Sequence, residues 1–163
     1  MDSTQSQSAE CCPQFNPEGW DGKTWIWQDK LFMQDDVRAL FHIPLNMGTV
    51  IPRMWNQIQG AQAAVPMADF VMLACDPTPW KTELYFNVTK DVPGAKMVRL
   101  SGTYLTKVFD GPYRDAPKWL KQTEQYLTGQ NKKASKYYFY YTTCPKCAKK
   151  YGHNYVVVFA QVA

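Results

Sequence analysis

The chain has 163 residues, 45% apolar and 15% aromatic, with eighteen basic against fourteen acidic residues and a formal charge of +4. That length can bury a core without covalent staples, and six Trp with ten Tyr are a surplus that points to a cleft or an interface. The lysines fall in loop-like stretches such as "NKKASK" and "CAKK" rather than in a basic stripe, and no run of 18 or more apolar residues is present, so neither nucleic acid nor membrane is an expected partner.

The opening "MDSTQSQSAECC" lacks the basic and apolar regions of a signal peptide. Residues 1–20 read as a partly disordered extension, and the protein as cytoplasmic. From Lys23, "KTWIWQDKLFM" nearly alternates aromatic and polar residues, and "VRALFHI" follows the turn-like "QDD", which predicts two antiparallel strands. His42 in "FHIPL" reads most simply as a core histidine, with a site role as the alternative. After the break at "PLNMG", Val50, Met54, Ile58 and Ala61 recur at helical spacing, with Thr49 as a cap and Pro52 tolerable in the first turn. Strands follow at 70–76 and 83–88, separated by "PTPWK".

From Lys96 the order recurs. A long strand runs to Phe109, "DGPY" breaks it, and "DAPKWLKQTEQYL" predicts a helix capped by Asp115, with Trp119, Thr123 and Leu127 on one face. "KYYFYYTT" and "NYVVVFAQV" close the series as strands. Each half thus reads strand, Gly turn, Trp-bearing helix, strand, strand. One such unit cannot cover its own sheet, whereas two can bury a common core. The expected fold is α+β: two pseudo-symmetric β-α-β-β repeats, 21–92 and 93–163, forming a single domain with an antiparallel sheet and helices on one face. The Pro and Gly of "DVPGAKM" mark the seam.

"GTYLTKVFDGPYRDAPKWLKQTEQYL", most specifically "FDGPYRDAPKW", resembles the second repeat of the GyrI-like effector-binding domain, and "ALFHIPLNMGTVIPRMWNQI" with "WKTELYFNV" extends the likeness over residues 23–163. The tail "CPKCAKKYGHNYVVVFAQV" looks like a subgroup of that family loosely described as hydrolases. The resemblance implies an SHS2-like pair of repeats around an aromatic cleft for small organic molecules, and relatives that are drug-binding regulator modules or hydrolases of cyclopropane-bearing toxins. No DNA-binding module precedes the domain, which argues against a regulator acting alone.

Period-2 alternation on "TELYFNV" sends Glu83 and Tyr85 to one face of a strand. The resemblance implies that a buried Glu on such a strand pairs with a cation or orients a water. A carboxylate walled by aromatics would have a raised pKa, suited to accepting a proton near neutrality, whereas a solvated strand-start Glu is the plain alternative. In several relatives the working Glu lies on the strand that is "KYYFYYTT" here, which has none. Either Glu83 takes over or the reaction is not performed. Glu83, Tyr85 and Tyr140 are therefore the candidate catalytic residues. Trp55, Trp80, Tyr113, Trp119 and Tyr138 are candidate ligand-binding residues through stacking and cation–π contacts, although core packing explains any one of them equally well and is the favoured reading for Trp55 and Trp119 on the helices.

The five Cys, at 11, 12, 75, 144 and 147, are an odd number in a reducing compartment and argue against a disulfide scaffold. Cys144 and Cys147 form a C-P-x-C knuckle that supplies half of a tetrahedral zinc site, which Cys11 and Cys12 would complete, with Cys75 and His153 as substitutes. A redox pair at a helix start and a reduced structural turn are the other readings. No cofactor is required by the candidate chemistry, and the expected partner is a small-molecule ligand or substrate.

Overall fold

The computed structural model describes residues 15–41, 43–66, 69–142 and 145–162. Its strands are β1 (Lys23–Leu40), β2 (Ile43–Pro44), β3 (Met72–Thr78), β4 (Lys81–Asn87), β5 (Lys96–Asp110), β6 (Lys136–Tyr141) and β7 (Tyr155–Gln161). Its helices are α1 (Met47–Gly60), α2 (Ala116–Gly129) and the short α3 (Pro145–Tyr151). The fold is α+β, as expected, with one difference in closure. The order β2-β1-β4-β3-β6-β7-β5 returns on itself because β5 also pairs with β1, so six antiparallel strands form a ring. Exchanging the halves leaves the ladder map unchanged: β1–β4 answers to β5–β7 and β3–β4 to β6–β7, while β1–β5 and β3–β6 join the two units.

The two strands expected over 23–43 are largely one. β1 runs eighteen residues through the supposed "QDD" turn, because both of its edges are paired there: Gln34 lies opposite Tyr85 on one side and Lys96 on the other. A bulge between Trp27 and Lys30, with Asp29 at φ 50°, bends the strand so that the ring can close.

Alternation divides the side chains into two layers. On the outer face Val50, Met54 and Ile58 of α1 pack on Met33, Val37, Ala74, Leu84 and Phe86. On the same face Trp119 of α2 packs on Val156 and Val158, and Leu127 on Leu105 and Ala160. Both helical faces are those the four-residue spacing predicts. The caps differ. Asn46, not Thr49, precedes α1, and its side chain accepts from the Arg38 N–H at 2.8 Å instead of capping the helix. Asp115 sits at the α2 N-cap position without a side-chain cap bond. Among the described residues no helix is long and apolar enough to cross a membrane.

Candidate functional site

The inner face of the ring gathers the aromatic surplus. Phe32, Leu73, Tyr85, Tyr104, Tyr138, Val157 and Phe159 are buried there, and Trp25, Trp27 and Tyr140 pack against them. The segment before β1 adds two further rings. Around a 3-10 turn at Pro17–Gly19, Phe15 lies 6.3 Å from Tyr140, and Trp20 lies 5.7 Å from Tyr140 and 6.0 Å from Phe159. Thr106 anchors this turn: its hydroxyl bonds the Trp20 carbonyl, and its own carbonyl accepts from the Gly22 N–H at 2.8 Å. Residues 15–20 are thus packed, although the sequence groups them with the extension. The rings close on one another instead of lining an open hollow. Two surface hollows of about 280 and 320 Å³ lie elsewhere, one beside Arg53 and Lys96, the other between Lys121 and Thr128.

One carboxylate stands at the edge of this aromatic layer. The Glu83 side chain is 16% exposed, and its Oε1 accepts a 3.0 Å hydrogen bond from the Tyr85 hydroxyl. Lys81 Nζ approaches Oε2 at 3.6 Å and Asp36 at 3.8 Å. Across the ladder Glu83 faces Cys75, a half-buried free thiol. Burial pushes the Cys75 pKa up, partly offset by Lys136, so it stays a thiol at neutral pH. Burial and the neighbouring Glu83 push Tyr85 well above the usual phenol range, which keeps it a proton donor. Lys136 lies 4.9 Å over the Tyr138 ring. Burial alone would lower its pKa, but its bond to Tyr138 and the nearby phenol, thiol and carboxylate turn the shift upward, so it is a cation. The chemistry available is a fixed carboxylate, protonated phenols and an ammonium against apolar rings.

The structure brings Glu83, Tyr85, Tyr138 and Tyr140 onto this one face, as the period-2 reading of β4 and β6 expects. The Tyr140 hydroxyl donates to the Phe70 carbonyl at 3.1 Å, so its proton is engaged. Four other candidates lie elsewhere. Trp55 packs on Phe70 and Phe86, and Trp119 stacks on Phe109, both in the outer layer. Trp80, 54% exposed, pairs with Phe41 at the β3–β4 turn, and Tyr113, 40% exposed, meets Tyr141. Cys147 is buried on α3, whereas Cys11, Cys12, Cys144 and His42 lie outside the described residues. Among the described residues no group of three or more His, Cys, Asp or Glu forms a metal-holding cluster. His153 instead pairs with Asp110 at 2.7 Å. Sequence reasoning missed Phe32, Tyr104, Phe159 and the Trp20–Trp25–Trp27 group, although alternation in β5 and β7 carries the signal for Tyr104 and Phe159, and alternation at the start of β1 that for Trp25 and Trp27.

The comparisons agree with this architecture. The C-terminal domain of EcmrR superposes with a TM-score of 0.68 at 10% identity over 88% of this chain and 98% of that one. A hydrolase from Listeria innocua gives 0.60 at 10% identity over 98% of both chains, and an uncharacterized conserved protein from the same organism gives 0.61 at 9% over 88% and 92%. At these identities the likeness shows the fold, a GyrI-like one. No curated protein matches the chain. The sequence profile described as "Bacterial hydrolase" matches residues 1–162, and the chain belongs to that bacterial hydrolase family.

Proposed function

We propose that the protein binds a hydrophobic small organic molecule, cationic or electrophilic, against the inner face of its sheet, and that Glu83 orients a water to hydrolyse electrophilic ligands. The supporting observation is the pairing of Glu83 with Tyr85: a carboxylate held by a donor beside a layer of aromatic rings. The family description and the C-terminal CPKCAKKYG stretch, taken as the mark of a hydrolase subgroup, favour turnover. Phe15 and Trp20, the inner-face rings that belong to no strand, hold the place of the ligand and are displaced by it, which breaks no ladder. Tyr85 fixes the carboxylate, and Tyr138 and Tyr140 wall the ligand. In hydrolysis of an epoxide, Glu83 takes a proton from water as the water oxygen bonds to carbon. The strained carbon–oxygen bond breaks, the released oxygen takes a proton from solvent, and Glu83 gives the proton it holds back to solvent.

A non-catalytic sequestering module is the second reading, favoured by the engaged Tyr140 proton and by the lack of a carboxylate on β6. Benzyltrimethylammonium and styrene oxide test both. The cation is expected to raise the melting temperature of wild type, and Glu83→Gln, which removes the charge facing a cation that has no N–H to donate, to cost about 1.5 kcal/mol or more of that binding, a tenfold or larger rise in Kd. Formation of the phenyl diol from styrene oxide by wild type but not Glu83→Gln establishes turnover, whereas binding without diol leaves the sequestering reading. Equal shifts for the two proteins would discard Glu83.

A further inference from the structure

The inner face holds a polar atom that the Glu83 reading does not use. Tyr104, on β5, is 0% exposed, and its hydroxyl is buried with no hydrogen-bond partner among the described residues. Its neighbours are otherwise: Tyr85 donates to Glu83, Tyr140 to Phe70, and Tyr138 is bonded to Lys136. Burying a hydroxyl unpaired costs about 1–3 kcal/mol. Phe32 and Phe159 fill the same layer with plain rings, so packing alone does not call for the oxygen. Burial, reinforced by Tyr138, pushes the Tyr104 pKa up to about 12, so the group is a proton donor at neutral pH. Trp27 covers one side at 4.6 Å between ring centroids, and Tyr138 stands at 6.3 Å between Tyr104 and Tyr85, itself 5.8 Å from Tyr138. A line of rings therefore runs from a carboxylate at one end to an unused donor at the other.

We propose that Tyr104 is the buried hydrogen-bond donor to the bound molecule, and that the ligand class is an aromatic compound carrying an acceptor oxygen, a carbonyl, ether or epoxide, among its rings. This rests on the reading of the inner face as the binding surface. It adds a selection rule: an oxygen-bearing ligand satisfies the hydroxyl, and its hydrocarbon counterpart leaves it unpaired.

Benzophenone and diphenylmethane, two rings joined by a carbonyl or a methylene, make the test with wild type and Tyr104→Phe. Wild type is expected to bind benzophenone about tenfold more tightly than diphenylmethane, and Tyr104→Phe to bind the two alike. The free variant is expected to melt at or above the wild-type temperature, because it loses an unpaired group and no bond. The carbonyl stretch of bound benzophenone falls to lower frequency in wild type and not in the variant. Discrimination retained by Tyr104→Phe, an unchanged carbonyl stretch, or a free variant that melts several degrees lower would each overturn the inference. So would wild type that binds neither compound or both equally. Benzyltrimethylammonium separates the two readings: if wild type still binds it in a Glu83-dependent way, only the Tyr104 inference fails, and if it does not, the inner-face reading fails as well.

Discussion

Trp119→Ala is expected to lower the unfolding free energy by about 3–5 kcal/mol, a fall in melting temperature on the order of 10 °C for a chain of this size. Trp119 is 4% exposed, lies parallel to Phe109 at 5.7 Å, and seals α2 against Val156 and Val158. Alanine would leave a cavity that neighbours on two β-strands and a helix close only in part. Because this ring is in the outer layer, the Kd for benzyltrimethylammonium should stay near the wild-type value below the new melting temperature. Denaturant unfolding read by circular dichroism gives the first quantity and calorimetric titration the second. Stability near wild type together with lost binding would mean that the ligand sits under α2 and not inside the ring.

Phe159→Ala is the matching substitution on the other side of the same strand. Phe159 is fully buried, 5.6 Å from Trp27 and 6.0 Å from Trp20 between ring centroids. Its loss should also cost about 3–5 kcal/mol, but here the ligand should respond, because the vacated space adjoins Trp20, Trp27 and Tyr138. The Kd for benzyltrimethylammonium is expected to change by at least threefold. The two variants together separate the faces of β7: equal destabilisation, and ligand response in one alone. An unaltered Kd in Phe159→Ala would detach the aromatic interior from binding.

The helices were legible because their signal is local. Val50, Met54 and Ile58, like Trp119, Thr123 and Leu127, repeat every four residues, and that spacing needs no knowledge of the partner sheet. The pairing of Glu83 with Tyr85 was legible for a similar reason, since residues two apart on one strand share a face whatever lies across from them. Ring closure was not, because it is a long-range event. Gln34, Asp35 and Asp36 look like turn residues, yet they continue β1, with Gln34 donating to Asp36 at 2.6 Å and Asp35 bound to Arg53 at 2.8 Å. The bulge after Trp27 shifts the alternation, so the phase read from "KTWIW" does not carry through to Phe32. The aromatic residues of the two helices attracted a cage reading through residue type alone. Composition counts rings without saying which layer holds them, and Trp55 and Trp119 serve the outer core. The unpaired hydroxyl of Tyr104 is invisible in sequence for the opposite reason, because only the structure shows that it has no partner among the described residues.

The six tryptophans supply the most direct check, because the fold sorts them by layer: Trp20, Trp25 and Trp27 on the inner face, Trp55 and Trp119 in the outer core, Trp80 at an exposed turn. Protein labelled with 5-fluorotryptophan and assigned by single Trp→Phe substitutions can be titrated with benzyltrimethylammonium by fluorine NMR. Trp20, Trp25 and Trp27 are expected to move in a saturable way while Trp55, Trp80 and Trp119 stay fixed, and saturable movement confined to the latter three would contradict binding at the inner face.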